Sequence, residues 1–409
     1  MTATYPADLR TPGCNCLNNT GATTDTQLQN FFRKCVTPGS TINLGILGGS
    51  ISQMLAGYQV TWLAYLQQMC PTSTVKLYNG ARPSTGSMTL GYCAKTSVGG
   101  PEQVDLFVTE FTLNDGSKYT TDGQFSSQSY EFLLRNTLTA FQYAPAIITL
   151  HLWGFPFVYD SPQPALVALA QRYALSAISI RDAVWPYYTA QREPLASKSE
   201  VTVDGIHPSA YVHKFAADLL HTYVVGKFLE WVDSAIDGTA SQTAGTEPVA
   251  LPEASNSPLN KYKVEEAKID CAIVPSKDRE DGRAPVLIDP SGFSIDPADQ
   301  LACVKFTSDA PRTKVQVTTQ TGRIFISNCY FGDRTFRMYG AERASAISVH
   351  NVVAGEWLPL MLIQLVDGIA EGFEVEPPLA PGTYTLGITK NPTCVGQACS
   401  EGFLAIAGL

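Results

Sequence analysis

Two joined folds are predicted for this 409-residue chain: an α/β domain on a parallel sheet, followed by an all-β sandwich. Three observations predict them. Residues 41–235 alternate short apolar segments with helical stripes, the pattern of a parallel sheet covered on both faces. Beyond a Pro-, Ser- and Thr-rich stretch at 236–262, the hydrophobic period changes from that of a helix to two, the mark of half-buried antiparallel strands. The chain is also long enough, and at 44% apolar residues hydrophobic enough, to bury two cores.

Residues 1–40 hold Pro6, Pro12, Gly13, Gly21, Pro38 and Gly39 and read as a turn-rich N-terminal extension wrapped on the core. Within 41–235, strands are expected at Ile42–Leu47, Val75–Tyr78, Val104–Thr109, Ala146–Leu152 and Ala177–Ile180. Ile51, Leu55, Tyr58, Trp62, Leu66 and Met69 recur at three- to four-residue spacing, as one buried helix face would. Gln128–Phe141 and Gln163–Ala174 look helical, and Val212, Phe215, Ala216, Leu219 and Tyr223 form another helical stripe. Residues 236–262 read as a linker. In 263–409, Cys303–Thr307, Lys314–Thr318, Arg323–Ser327 and Tyr384–Thr389 alternate apolar and polar residues between turns, and read as strands of the sandwich.

Composition narrows the function. The net charge is −9 and no Lys/Arg cluster occurs, which argues against nucleic-acid partners, since gripping phosphates needs a basic patch. No apolar run approaches the ~20 residues of a membrane span; the longest, near Leu358–Val366, is broken by Pro359 and Gln364. The N-terminus has no apolar signal core, so the chain reads either as cytosolic or as starting after a removed targeting segment. Ten cysteines, none in a Cys-x-x-Cys pair, with five histidines, make a zinc site a poor reading. Their even number, the low charge and the Asn18-Asn-Thr20 sequon fit a secreted or secretory-lumen protein with disulfides, buried free thiols being the alternative. Five cysteines precede residue 250 and five follow it, so complete pairing needs at least one bridge between the halves. Oligomeric state is not legible.

Three segments carry chemistry. Leu47-Gly-Gly-Ser-Ile-Ser52 places Ser50 where the first strand enters a helix, on the carboxyl edge of the sheet, where ligands bind in such folds. Gly48 and Gly49 let the backbone turn sharply and leave room for substrate, though Gly-Gly-Ser is also an ordinary helix cap. Val203-Asp-Gly-Ile-His-Pro-Ser209 sets Asp204 and His207 three apart across a turn, where the carboxylate can hold one ring nitrogen and leave the other free to take a proton. The plainer reading has Asp204 start a turn and His207 cap the helix. Glu110-Phe-Thr-Leu-Asn-Asp115 brings Asn114 out after the third strand, where its amide could donate to an oxyanion or simply form a turn. His213 and His221 read as packing or surface residues, and His350 has no obvious partner.

Together the segments resemble the SGNH hydrolase superfamily of GDSL-like esterases. Gly-Gly-Ser-Ile-Ser looks like its first block in the Gly-Gly-Ser-Ile-Thr variant, Tyr78-Asn-Gly-Ala-Arg-Pro-Ser-Thr-Gly-Ser87 like the second, Glu110–Asp115 like the third, and Asp204-Gly-Ile-His-Pro208 like its Asp-x-x-His block. Ser179–Val184 and His213–Leu220 are also similar. The blocks keep the family's order over about residues 41–232, and the C-terminal half lies outside the likeness. The resemblance implies a three-layer, flavodoxin-like fold. It makes Ser50 the nucleophile, His207 the base and Asp204 its orienting acid, with an oxyanion hole formed by the Ser50 amide, a second-block amide and the Asn114 side chain. Ser84 stands where that block usually has Gly, with Gly86 two residues on, so either amide is a candidate; Thr112 stands where Gly is common in the third block.

Serine needs an adjacent base near neutral pH, and imidazole, with an ordinary pKa of ~6.5, supplies one without metal or cofactor. His151 and Trp153, after the fourth strand, could line an acyl or sugar pocket or anchor a buried loop, and Trp153-Gly-Phe-Pro-Phe157, Tyr159 and Trp185-Pro-Tyr-Tyr188 add aromatic groups. The expected function is hydrolysis of a short O-acyl group, acetyl by family analogy, on a carbohydrate or small ester. An acyltransferase on the same acyl-serine, or a non-catalytic glycan-binding protein on this scaffold, are the alternatives.

Overall fold

The computed structural model describes residues 17–18, 22–99, 102–117, 127–154, 161–240, 244–246, 249–255, 269–273, 286–287, 293–295, 304–306, 312–329, 347–354, 356–367, 370–390 and 402–408. Through residue 236 the elements run β1 (Leu17–Asn18), α1 (Ala22–Val36), β2 (Thr41–Gly48), α2 (Ser50–Gln53), α3 (Tyr58–Met69), β3 (Thr74–Asn79), α4 (Ser87–Tyr92), α5 (Ala94–Ser97), β4 (Leu106–Glu110), α6 (Gln128–Thr139), β5 (Ala146–His151), α7 (Gln163–Arg172), β6 (Ser176–Ser179), α8 (Ile180–Thr189), α9 (Lys198–Val201) and α10 (Ala210–Ile236). Among the described residues eleven strands follow: β7 (Asp270–Ile273), β8 (Val286–Leu287), β9 (Phe293–Ile295), β10 (Val304–Phe306), β11 (Arg312–Thr319), β12 (Ile324–Cys329), β13 (Ile347–Val353), β14 (Glu356–Asp367), β15 (Ala370–Glu376), β16 (Gly382–Lys390) and β17 (Gly402–Gly408).

All five expected strands of the α/β part form, and they pair in parallel in the order β6-β5-β4-β2-β3. Counting those five by chain position, the order is 2-1-3-4-5, the flavodoxin-like doubly wound arrangement, whose switch point lies between β2 and β4. β1 adds an antiparallel edge beside β6. Every residue of β4 and β5 is buried, as expected of strands covered on both faces.

Two expectations change. The turn-rich reading of 1–40 misses α1, whose Leu28, Phe31, Phe32 and Cys35 enter the apolar core and whose end is tied to the end of α3 by the Cys35–Cys70 disulfide. Those four residues fall at i, i+3, i+4 and i+7, a helical signal that the neighbouring Pro and Gly residues obscured. The single helix expected over Ile51–Met69 is two helices, because the chain leaves the helical path at Met54 and re-enters at Tyr58. Leu55 lies in that break and is 88% exposed, so it is not part of the buried stripe.

The C-terminal part is antiparallel and β-rich, as expected. Its strands follow the order β8-β11-β16-β13-β14-β15-β12-β17-β10-β9, with β7 on β17. The twelve-residue β14 changes partner along its length: its first half pairs with β13 and its second with β15. One apolar cluster draws Val315, Val317, Val349, Leu386 and Ile388 from one stretch of this order, and Ala272, Ile324, Ile326, Val375 and Ile406 from the other.

Packing groups the chain into two compact units that cross the sequence-based partition. One comprises 1–81, 101–113 and 141–252; the other comprises 82–100, 114–140 and 253–409. In the second unit Cys93 is bridged to Cys271, a link between the two halves of the sequence, and Glu131 accepts hydrogen bonds from the amide and hydroxyl of Ser255. Cys14, Cys16, Cys303, Cys394 and Cys399, the side chain of Cys329, Phe155, Phe157 and Tyr159 lie outside the described residues. In the expected linker, Ala244 accepts a hydrogen bond from Arg33 of α1, so residues 244–246 are attached to that helix.

Candidate active site

The first unit brings Ser50, His207 and Asp204 together at the carboxyl end of β2, beside the switch point. Gly49, extended at φ −88° and ψ −157°, takes the capping position of α2 and offers no side-chain cap, so Ser50 is the first helical residue. Its hydroxyl is turned away from any capping role and lies 2.8 Å from His207 Nε2. The cap reading of Gly-Gly-Ser therefore fails. Gly48 has a packing reason: a Cβ there would lie 2.7 Å from Ser52 Oγ and 2.9 Å from the Glu110 carbonyl oxygen, closer than such atoms approach.

The His207 segment is a tight turn closed by the Val203 amide on the His207 carbonyl, at 2.9 Å. Gly205 has φ +91°, in the left-handed region that favours glycine. The two oxygens of Asp204 divide the work. Oδ1 accepts the amides of Ile206 (2.9 Å) and His207 (2.8 Å) and shapes the turn, while Oδ2 lies 2.6 Å from His207 Nδ1. Partial burial works against the charge on Asp204, but the hydrogen bonds from the His207 ring and from those two amides outweigh it and hold the carboxyl at about 2. Ser209, not His207, caps α10, accepting from the Val212 amide. With Nδ1 on the carboxylate, Nε2 faces Ser50 as a proton acceptor.

The other sequence candidates fall elsewhere. His151 is buried, its Nδ1 3.0 Å from Thr112 Oγ1 and its Nε2 3.0 Å from Thr149 Oγ1. Burial drives its imidazole down to about 3, against the pull of Asp182. Trp153 is also buried, in the core and against Trp185 and Tyr188. Neither presents a free face, so the loop-anchor reading fits both better than a pocket lining. Thr112, placed where glycine was expected, turns its hydroxyl inward to His151.

Ser84, Gly86 and Asn114 belong to the second unit. There Asp115 accepts from the Ser87 amide at 3.0 Å and the Ser87 hydroxyl at 2.7 Å, so the residues next to Gly86 and Asn114 are bonded to each other. Gly86 is the residue before α4. Ser84 has φ +55°, a conformation glycine adopts freely. Asn114 is buried and opens a short 3-10 turn, Asn114–Ser117.

Sequence reasoning passed over Ser52 and Tyr58. Both are fully buried, with hydroxyls 2.8 Å apart, and the Ser52 hydroxyl donates to Glu110 Oε2 at 3.0 Å. The polar residue two places after a candidate nucleophile was the only available signal.

No protein-family model matches the chain, and no curated protein matches it in sequence. Solved structures do. A two-domain esterase (CEX) active on acetylated mannans superposes with a TM-score of 0.59 at 17% identity, over 96% of this chain and 97% of that one. The same esterase co-crystallized with mannopentaose gives 0.56 at 17% identity, over 93% and 94%. The chain thus shares the fold of a two-domain esterase along almost its entire length.

Proposed function

We propose that this protein is a serine esterase that removes short acyl groups, acetyl foremost, from carbohydrates through an acyl-Ser50 intermediate. The observation that carries the reading is the unbroken contact series Ser50 Oγ–His207 Nε2 at 2.8 Å and His207 Nδ1–Asp204 Oδ2 at 2.6 Å. Ser50 Oγ attacks the ester carbonyl carbon while its proton passes to His207 Nε2. Asp204, kept ionised, stabilises the imidazolium. As the tetrahedral intermediate collapses, His207 returns that proton to the departing sugar oxygen. Water then attacks the acyl carbon as His207 takes one of its protons, and His207 returns that proton to Ser50 Oγ as the acyl–oxygen bond breaks and the carboxylic acid leaves. The Ser50 amide, the amide of Ser84 or Gly86, and the Asn114 side chain are the proposed oxyanion donors, by resemblance to the SGNH blocks.

The carbohydrate substrate is supported by end-to-end similarity to a two-domain esterase active on acetylated mannans. The Cys35–Cys70 and Cys93–Cys271 bridges support an oxidising, secretory setting. The test uses wild type and Ser50→Ala with p-nitrophenyl acetate, acetylated mannan and a fluorophosphonate probe. Wild type is expected to release acetate and to take the probe on Ser50, with Ser50→Ala at least ~10³-fold slower. Equal hydrolysis by the two proteins would overturn the proposal, and acetyl transfer to an added glycan acceptor in place of water would redirect it to a transferase.

A further inference from the structure

Ser50 sits on a very short element. α2 has four residues, far fewer than the ~12–15 a helix needs to persist alone, and it has no side-chain cap. Besides Ile51, which is buried in the apolar core, a buried polar chain fastens it. Because the Ser52 hydroxyl donates to Glu110 Oε2 at 3.0 Å, its single proton is committed, and the Tyr58 hydroxyl, 2.8 Å away, must be the donor to Ser52. Tyr58 keeps its proton, since burial and then the nearby Glu110 charge push the phenol well above its ordinary range. The carbonyl of Ser52 accepts from Asn79 Nδ2 at 2.8 Å, which fastens the same turn to β3. At the far end of the chain, the Tyr58 amide donates to His213 Nδ1 at 3.2 Å, and the two rings stack with 16° between their planes. His213 lies on α10, six residues beyond His207. A side chain at Gly48 would press on the Ser52 hydroxyl and on the Glu110 carbonyl oxygen, so glycine there leaves Ser52 its place.

We propose that Ser52 and Tyr58 are positioning residues: the buried chain Tyr58–Ser52–Glu110, continued through the Tyr58 amide to His213, fixes the Ser50 turn in register with the helix that follows His207. Neither residue touches the reacting atoms. This rests on Ser50 being the nucleophile, as proposed above. A buried hydroxyl that joins a carboxylate to a phenol cannot be exchanged for water without rearranging its neighbours, so its loss lets the turn drift. A displacement near 1 Å at a reacting group can cost ~10²-fold in rate.

The test compares Ser52→Ala, Tyr58→Phe and the double variant with wild type, measuring kcat and KM on p-nitrophenyl acetate, the rate of fluorophosphonate labelling at Ser50, and the melting temperature. Ser52→Ala is expected to lower kcat and labelling by ~10–100-fold with KM within about twofold, and Tyr58→Phe by less. The double variant should match Ser52→Ala, because one chain is cut in either case. Wild-type kcat and labelling in both single variants, losses that multiply in the double variant, or a loss that disappears on cooling well below the melting temperature would overturn the positioning role. Should Ser52→Ala not fold, Tyr58→Phe, which keeps the ring and removes one buried hydroxyl, decides the matter by its labelling rate. A wild-type protein that neither hydrolyses esters nor labels at Ser50 would instead defeat the esterase reading itself.

Discussion

The two sheets bury their strands in different ways. In β4 and β5 every residue is buried, whereas along β11 Thr313, Val315, Val317 and Thr319 are buried and Gln316 and Thr318 are exposed. A strand covered on both faces must end its chemistry at its carboxyl edge, where the chain emerges into loops, and there β2 delivers Ser50. A strand covered on one face spends its alternate residues on solvent, and its sheet offers no comparable crevice by topology alone. The candidate site accordingly sits on the parallel sheet. The β-rich unit nevertheless takes in the two chain segments that hold Ser84, Gly86 and Asn114.

The largest expected effect sharpens that contrast. Asp204→Asn retains the shape of the carboxyl but not its charge or acceptor pair, so the imidazole is stabilised in the wrong tautomer, and kcat should fall by ~10⁴-fold as read by ester hydrolysis. A loss under tenfold would remove the triad from the parallel sheet's account. Asn114→Ala is the attempt to break the contrast: a drop of ~10²–10³ in kcat would show that a residue grouped with the β-rich unit donates to the oxyanion. Unchanged kcat would confine the chemistry to the α/β unit.

Acid stability separates the regions more gently. Burial lowers His213 to about 4, helped by the His207 ring, and lowers His151 to about 3. Both histidines therefore bind protons more readily unfolded than folded, so their contribution is constant above the ordinary value of ~6.5 and is lost as pH falls from there towards 4 and then 3. Asp204, ordinarily 3.8 and held at about 2, adds its own loss only below about 3.8. Denaturant midpoints measured from pH 7 to 4.5 should fall steadily, and a flat profile would contradict the burial of these rings. The smallest effect belongs to Ser84. Relief of its left-handed backbone by Ser84→Gly, less the extra chain entropy of glycine, should stabilise by up to ~1 kcal/mol and raise the melting temperature by about 2–4 °C in a calorimetric scan.

The amino-acid sequence by itself determined the fold class, because the periods that encode it are local: five apolar segments separated by helical stripes, then alternation. It also singled out Ser50, Asp204 and His207 as site candidates, because Asp204 and His207 lie within one turn and Ser50 stands at a strand end. Only the tertiary structure decided what depends on partners far along the chain. Gly49 rather than Ser50 takes the cap because His207, 157 residues away, claims the Ser50 hydroxyl. Leu55 leaves the helical stripe because the chain breaks between α2 and α3, and His151 is sealed between two threonines instead of lining a pocket. Ser52 and Glu110 are 58 residues apart, and no pattern along the chain announces that this hydroxyl and this carboxylate will meet. Periodicity reports which face of an element is buried; what that face meets is settled only when the elements pack.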